Sequence, residues 1–136
     1  MKLTDYLHES TIFYLATVEN NKPKIRPIGG KPNFEGDGFV ELEGKIYFYT
    51  DNSKEMFRQM KNQPEIGMTF TVSTGFVRIY GTAVFDGNKD AKQAILDENP
   101  ILKSVYSAED NLFEVFYLDN FEAYLYSPMQ KPQKLV

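Results

Sequence analysis

Short runs of β-branched and aromatic residues, separated by tight turn signals, dominate this sequence and limit it to a mainly β fold. The turn signals include Asn20-Asn21, Glu43-Gly44 and Asp119-Asn120, which predict antiparallel hairpins. The predicted strands cover residues 12–18, 24–30, 39–42, 45–50, 66–72, 76–85, 112–118 and 121–127. This order predicts an antiparallel barrel or sandwich with short helices between strands, and residues 128–136 are expected to form a polar tail.

Four short helical segments are expected outside the strands. The first covers residues 4–9, with Thr4 as its N-cap. The second follows Asn52, which together with Glu55 resembles a capping box, and it ends before Pro64. The last two cover residues 90–97 and 102–106.

The composition excludes several classes of protein. A length of 136 residues is typical of one domain, here residues 1–136. The chain has no cysteine and one histidine, so neither a disulfide framework nor a zinc site is expected. A formal net charge of −4 argues against a nucleic-acid partner. Because no signal peptide or membrane-spanning run is evident, we expect a cytoplasmic protein without a membrane partner.

Aromatic residues are unusually frequent, with 9 Tyr and 11 Phe. Some of these rings are expected to line a ligand site or a subunit interface, where aromatic residues are enriched, and a well-filled β core remains the alternative for any single ring. The strands at 45–50 and 112–118 also have apolar residues on both faces. The second face must be covered by helices, by a ligand or by another subunit, and we favour a homodimer.

The familiar catalytic motifs are absent. The chain has no GxGxxG and no GxxxxGK[ST] sequence, and its one histidine, His8, lies in the predicted first helix and is expected on the surface. Glu41 and Glu43 alternate on one strand and are typical of a solvated edge. No catalytic side chain is therefore identified by the sequence.

The segment from Tyr49 to Lys54 gives the strongest local indication of a binding site. A strand ends there and a helix begins, with hydroxyls on Thr50 and Ser53 and a charge on Lys54. Helix N-termini bind phosphate through free N–H groups and the helix dipole. Arg26 lies on a predicted strand beside Pro27, which cannot donate to a ladder and so favours an edge or bulge.

Two arginines on strands require a partner. For Arg26 both a carboxylate and a phosphate remain open as that partner. For Arg78, in the strand at 76–85, a salt bridge with an acidic side chain is favoured.

Four segments in this order form a recognisable pattern. They are Tyr14-Leu-Ala-Thr-Val18 with Asn20-Asn-Lys-Pro-Lys-Ile-Arg-Pro27, then Ile46-Tyr-Phe-Tyr-Thr-Asp-Asn-Ser-Lys54, Phe57-Arg-Gln-Met-Lys-Asn-Gln-Pro64 and Phe76-Val-Arg-Ile-Tyr-Gly-Thr-Ala83. Together they resemble the pyridoxamine 5′-phosphate oxidase-like flavoproteins over roughly residues 10–127. The resemblance implies a six-stranded antiparallel split β-barrel with Greek-key order and flanking helices. It also implies a homodimer with FMN in each of two clefts at the interface.

The resemblance also implies site residues. Arg26, Ser53 and Lys54 would hold the FMN phosphate, with Gln59 nearby. The ribityl chain and the flavin ring would be lined by Pro27, Ile28, Tyr49 and Thr50.

Three functions remain open from the sequence. The first is an FMN-dependent oxidoreductase acting on a small organic substrate, with NADH or NADPH as a possible electron donor. The second is a flavin-binding protein that stores or senses flavin without turnover. The third is a lipocalin-like barrel for an apolar ligand, which leaves Arg26, Ser53 and Lys54 unexplained.

Overall fold

The computed structural model describes residues 1–10, 12–29 and 38–136. Within these ranges one antiparallel sheet of eight strands is accompanied by four short helices. The strands are β1 Phe13–Glu19, β2 Lys22–Ile28, β3 Val40–Leu42, β4 Lys45–Asp51, β5 Glu65–Val72, β6 Gly75–Phe85, β7 Phe113–Tyr126 and β8 Gln133–Lys134. The helices are α1 Leu3–Glu9, α2 Glu55–Asn62, α3 Lys89–Glu98 and α4 Pro100–Lys103.

The strand order confirms the mainly β split-barrel fold. Neighbouring strands follow the order β2-β1-β5-β6-β7-β4-β3, and β8 pairs with β7 beside this path. The two short strands β3 and β8 bring the total above the six strands expected. Because β2 and β4 are not paired, a gap remains between them, and α2 follows β4 directly at that gap.

The predicted hairpin at Asp119-Asn120 is wrong, because β7 is one continuous strand. Its first half pairs with β4, and β6 follows β7 along nearly its whole length. Asn120 has a φ of 46°, and the β6–β7 register shifts between Tyr80 and Thr82. Asn120 and Phe121 therefore lie opposite the single residue Gly81 and form a bulge that bends the strand, where a turn at Asp119-Asn120 would reverse it.

Gly81 lies opposite this bend and makes it possible. A Cβ atom placed on Gly81 would lie 2.7 Å from Phe121 Cβ and 3.3 Å from the carbonyl oxygen of Asp119. The two backbones can therefore approach only because residue 81 has no side chain.

Two apolar clusters stabilise the sheet from opposite sides. The first fills the barrel and contains rings from four strands together with Leu7 of α1. Those rings belong to Phe13, Phe48, Phe70 and Phe116. The second packs Ile95 and Leu96 of α3 against Tyr47 and Phe113 on the other face of β4 and β7. Helices of the chain itself thus cover this face, so it gives no argument for a second subunit.

Helix starts differ from the sequence expectations. The N-cap of α1 is Lys2, and Thr4 lies inside the helix. Asn52 does not cap α2, which has Lys54 as its N-cap. The Asn52 side chain instead donates to the carbonyl of Asn111 at 2.8 Å, because the residues just before β7 lie alongside the end of β4. The expected polar tail contributes β8, which pairs with the second half of β7.

Among the described residues, none of the helices combines the length and the apolar character that crossing a bilayer requires.

The close approach at Gly81 predicts that Gly81→Ala destabilises the protein by about 2 kcal/mol, since backbone and Cβ atoms of β7 would have to move. The free energy of unfolding in urea measures this. Gly67→Ala is the matched control, because its new Cβ is close only to the movable ring of Tyr80, at 3.1 Å, while the nearest backbone atom is at an ordinary contact distance of 3.9 Å. Equal losses in both variants would contradict the proposed role of Gly81.

Candidate functional site

A cleft of about 450 Å³ occupies the gap between β2 and the end of β4. Its third side is formed by α4 and the residues that follow it. The lining residues come from three parts of the chain that are distant in sequence. They are Arg26, Pro27, Ile28, Gly29, Tyr49, Thr50, Lys54, Glu55, Met56, Leu102 and Tyr106.

Arg26 is fixed in the cleft by hydrogen bonds to the protein. Its guanidinium donates to the carbonyl of Leu15 at 3.1 Å and to Gln59 Oε1 at 2.6 Å. A guanidinium has five N–H donors, so others remain for a ligand. Burial lowers the pKa of Arg26, and the charge of Glu55 partly offsets this. Within the described residues, the side chain that accepts a hydrogen bond from Arg26 is an amide and not a carboxylate.

Gln59 supports Arg26 from behind. Its side chain is buried, and Oε1 accepts from Thr17 Oγ1 at 2.6 Å as well as from Arg26. It does not line the cleft, so the structure gives it a supporting position behind the arginine.

The first turn of α2 forms the polar end of the cleft. Lys54 is its N-cap, is exposed, and has no ion pair within the described residues. Glu55 begins the helix and also lines the cleft, so its carboxylate opposes the two cations. The lining thus carries a net charge of about +1, which together with the helix N-terminus favours an anion.

Two hydroxyls at the cleft are buried without a hydrogen-bond partner in the described structure. They are Tyr49 Oη and Thr50 Oγ1, and Thr50 is only 4% exposed. Burial raises the pKa of Tyr49 to about 12. An unpaired buried hydroxyl costs about 1–3 kcal/mol, so each of these two groups, which lie on opposite faces of β4, would be stabilised by a polar partner.

Ser53 is turned away from the cleft lining. Its hydroxyl and its backbone N–H both donate to Asp51 Oδ1, at 2.5 Å and 2.9 Å. The sequence placed Ser53 among the phosphate-holding residues, whereas the structure uses its hydroxyl for Asp51. The other predicted site residues all line the cleft, namely Arg26, Pro27, Ile28, Tyr49, Thr50 and Lys54.

Two residues of the wall could not be found from the sequence. Leu102 and Tyr106 lie about fifty residues after β4 and reach the cleft only because α4 packs beside it. Their spacing of four residues is the sequence signal that could have linked them, because it places two side chains on one face of a helical turn. The structure has such a turn, in which the Tyr106 N–H donates to the Leu102 carbonyl at 2.8 Å. His8, a residue of α1, is exposed and lies against Phe39, and it is not among the residues that line the cleft.

A larger cavity of about 620 Å³ lies near the opposite end of β4. Its walls include core side chains such as Leu7, Phe48 and Ile79. Its lysines, Lys2 and Lys45, are balanced by Glu41 and Asp119. The smaller cleft is the stronger candidate, because it combines excess positive charge with unpaired buried hydroxyls.

Comparisons with solved structures place the chain among known folds. A NimC/NimA family protein from Clostridium acetobutylicum is 30% identical and superimposes with a TM-score of 0.83. The alignment covers 96% of this chain and 87% of that protein. General Stress Protein 26 from Bacillus anthracis is 18% identical over 90% of this chain and 88% of its own, with a TM-score of 0.68. An FAD-binding protein from Mesorhizobium loti is 11% identical over 88% of this chain and 89% of its own, with a TM-score of 0.59.

No curated protein matches the sequence at a significant level. The family profile described as pyridoxamine 5′-phosphate oxidase matches residues 2–118, which include every residue of the cleft. With this match and the fold described above, the chain belongs to the pyridoxamine 5′-phosphate oxidase family.

Proposed function

We propose that this protein binds FMN in the cleft and acts as an FMN-dependent oxidoreductase on a small organic substrate. One observation carries the proposal. Arg26 and Lys54 line the same cleft as two buried hydroxyls that lack a partner within the described residues. The family membership and the FAD-binding relative from Mesorhizobium loti support a flavin as the ligand.

The cleft residues fit the parts of FMN. The spare N–H donors of Arg26, the charge of Lys54 and the start of α2 suit a phosphate monoester. The hydroxyls of Tyr49 and Thr50 suit the polar ribityl chain or the ring carbonyls. We favour FMN over FAD because Arg26 hydrogen-bonds Gln59 of α2 and Lys54 is the N-cap of that helix, so both positive groups lie beside α2, which suits a single terminal phosphate.

Bound FMN would supply hydride or electron transfer, while the chain's own residues bind and orient it. Met56 and Leu102 contribute buried apolar surface that keeps water from part of the cleft. Gln59 keeps Arg26 in place through the 2.6 Å hydrogen bond. Electrostatic attraction at the phosphate end therefore provides binding, and the apolar wall provides exclusion of water.

A second candidate function is flavin storage or sensing without turnover. Burial, assisted by a hydrogen bond to Asp51, raises the pKa of Tyr106 to about 12, and burial raises that of Tyr49 equally. Both phenols therefore stay protonated near neutral pH, and Glu55 is the one carboxylate among the lining residues of the described structure. A cleft with so few groups able to move a proton is also what a flavin carrier requires.

We further propose that the protein forms a homodimer through the outer face of the sheet. Tyr14, Phe76 and Tyr80 are 40%, 40% and 48% exposed there. Tyr14 lies on β1 and the other two on β6, with β5 between them, and the register Tyr14–Thr69–Arg78 places all three on the same face. Arg78 stands among them and donates to Tyr126 Oη at 2.5 Å, with the Tyr80 ring 5.4 Å away, so among the described residues its partners are aromatic and not the expected acid.

Exposed aromatic clusters of this kind mark interfaces between subunits. The face lies outside the region covered by α3 and α4, and its exposed rings are the surface against which a second copy would pack.

The phosphate assignment predicts that Arg26→Ala and Lys54→Ala each weaken FMN binding by about 1.5–3 kcal/mol, because each removes a charge-assisted contact. Glu55→Gln should have the opposite effect and tighten FMN, since it removes the opposing charge. Titration of flavin fluorescence measures the affinity, and riboflavin, which lacks the phosphate, serves as the matched ligand control. Equal losses for FMN and riboflavin would contradict a phosphate contact.

The oxidoreductase proposal predicts that NADH or NADPH bleaches the visible absorbance of the FMN-loaded protein under anaerobic conditions. Free FMN at the same concentration is the control for the uncatalysed reaction. A loaded protein that neither nicotinamide reduces faster than free FMN would favour the storage or sensing function.

The dimer proposal predicts that Tyr80→Glu shifts the protein to a monomer, because a charge would be buried in the aromatic face. Sedimentation velocity measures the oligomeric state. Ile101→Glu is the matched control, since Ile101 is 54% exposed and belongs to α4, outside this face. A wild-type protein that sediments as a monomer would contradict the proposal.

A further inference from the structure

Asp51, the last residue of β4, is a buried carboxylate whose two oxygens bind different parts of the chain. It is only 5% exposed. Oδ1 accepts from the Ser53 hydroxyl and the Ser53 N–H, and Oδ2 accepts from Tyr106 Oη at 2.5 Å. Burial by itself would raise the pKa of Asp51, but the hydrogen bonds from Ser53 and Tyr106 and the nearby charge of Lys54 lower it. The group is therefore a carboxylate near neutral pH, with strong acceptor oxygens.

The Oδ1 side of this carboxylate shapes the turn before α2. The Ser53 bonds close the turn on Asp51, and the Lys54 N–H donates to the Asp51 carbonyl at 3.2 Å. Lys54 thus leaves this turn in a defined position at the polar end of the cleft. The serine hydroxyl that the sequence assigned to the phosphate serves here to hold the residue next to it.

The Oδ2 side attaches a distant part of the chain to the same turn. Tyr106 follows α4 and lines the cleft, and its ring packs on Phe113 with centroids 5.0 Å apart. Phe113 is the register partner of Asp51 on β7. The ring is therefore held by packing on one strand and by a hydrogen bond to the next.

We propose that Asp51 is a positioning residue for the flavin cleft, fixing Tyr106 as its wall while it fixes the turn that presents Lys54. The proposal rests on the proposed flavin binding for its functional consequence. Asp51 itself does not line the cleft, so it acts through Tyr106 and Lys54. Loosening Tyr106 would open the side of the cleft formed by α4 and let bound flavin escape faster.

The chain contains a matched control for this hydrogen bond. Tyr47, on the same strand, donates to Asp86 Oδ2 at 2.6 Å, and burial raises its pKa to about 12, as for Tyr106. Tyr47 does not line the cleft. Tyr106→Phe and Tyr47→Phe therefore each remove one tyrosine–aspartate hydrogen bond, but only the first removes it at the proposed site.

The first measurement is the rate at which FMN leaves the loaded protein, followed by the recovery of free flavin fluorescence. We expect Tyr106→Phe to release FMN about tenfold faster than wild type, the effect of losing one hydrogen bond to a charged group. Tyr47→Phe should release FMN at the wild-type rate, although we expect its thermal stability to fall by about as much as that of Tyr106→Phe. Equal release rates in the two variants would overturn the positioning role.

The second measurement does not depend on flavin. Hydrogen–deuterium exchange of the flavin-free protein should become faster at residues 102–110 in Tyr106→Phe and stay unchanged there in Tyr47→Phe. Unchanged exchange in Tyr106→Phe would show that the Tyr106–Asp51 hydrogen bond, here called the tether, does not hold this segment in place. If the exchange result is as expected but wild-type protein binds no FMN, the proposed function fails, and with it the role of Asp51 in flavin binding, while the tether stands.

Discussion

The arrangement of this protein depends on the pairing of β4 with the first half of β7. This pairing places Tyr49 opposite Val115 and Asp51 opposite Phe113. Because side chains alternate along a strand, Phe48 enters the barrel core while Tyr47 packs under α3. One strand therefore contacts both apolar clusters and ends at the cleft, so the sheet fixes the position of this wall of the site.

The electrostatics of the cleft are a balance of opposing charges and not a simple basic patch. Arg26 and Lys54 face the same cleft as Glu55, and the whole chain has a net charge of −4. Attraction of an anion therefore depends on short-range donors and on the start of α2, since long-range steering is weak for an acidic protein. Buried hydroxyls without partners add a second preference, for a ligand that carries polar groups beyond its phosphate.

Much of the fold was predictable from local patterns, and the failures have a common cause. The hairpin between β1 and β2 follows from Asn20-Asn21, both of which adopt positive φ, as the turn requires. Asp119-Asn120 has similar turn chemistry, yet β6 pairs with β7 on both sides of it, and Gly81 allows the bend. The cap expected at Asn52 failed in the same way, since its amide bonds to a neighbouring segment.

Local sequence patterns were enough to predict the class of fold and most of two of the three sides of the cleft. Turn chemistry, strand periodicity and a lysine at a helix start are local properties, so Arg26, Tyr49, Thr50 and Lys54 could be named from them. Three other features follow from the packed fold: Ser53 bonds to Asp51, Gln59 stands behind Arg26, and Tyr106 closes the cleft. The Gln59 and Tyr106 contacts join residues that are distant in the chain, and Ser53, although close to Asp51 in sequence, bonds to whichever partner the packed fold places beside its hydroxyl.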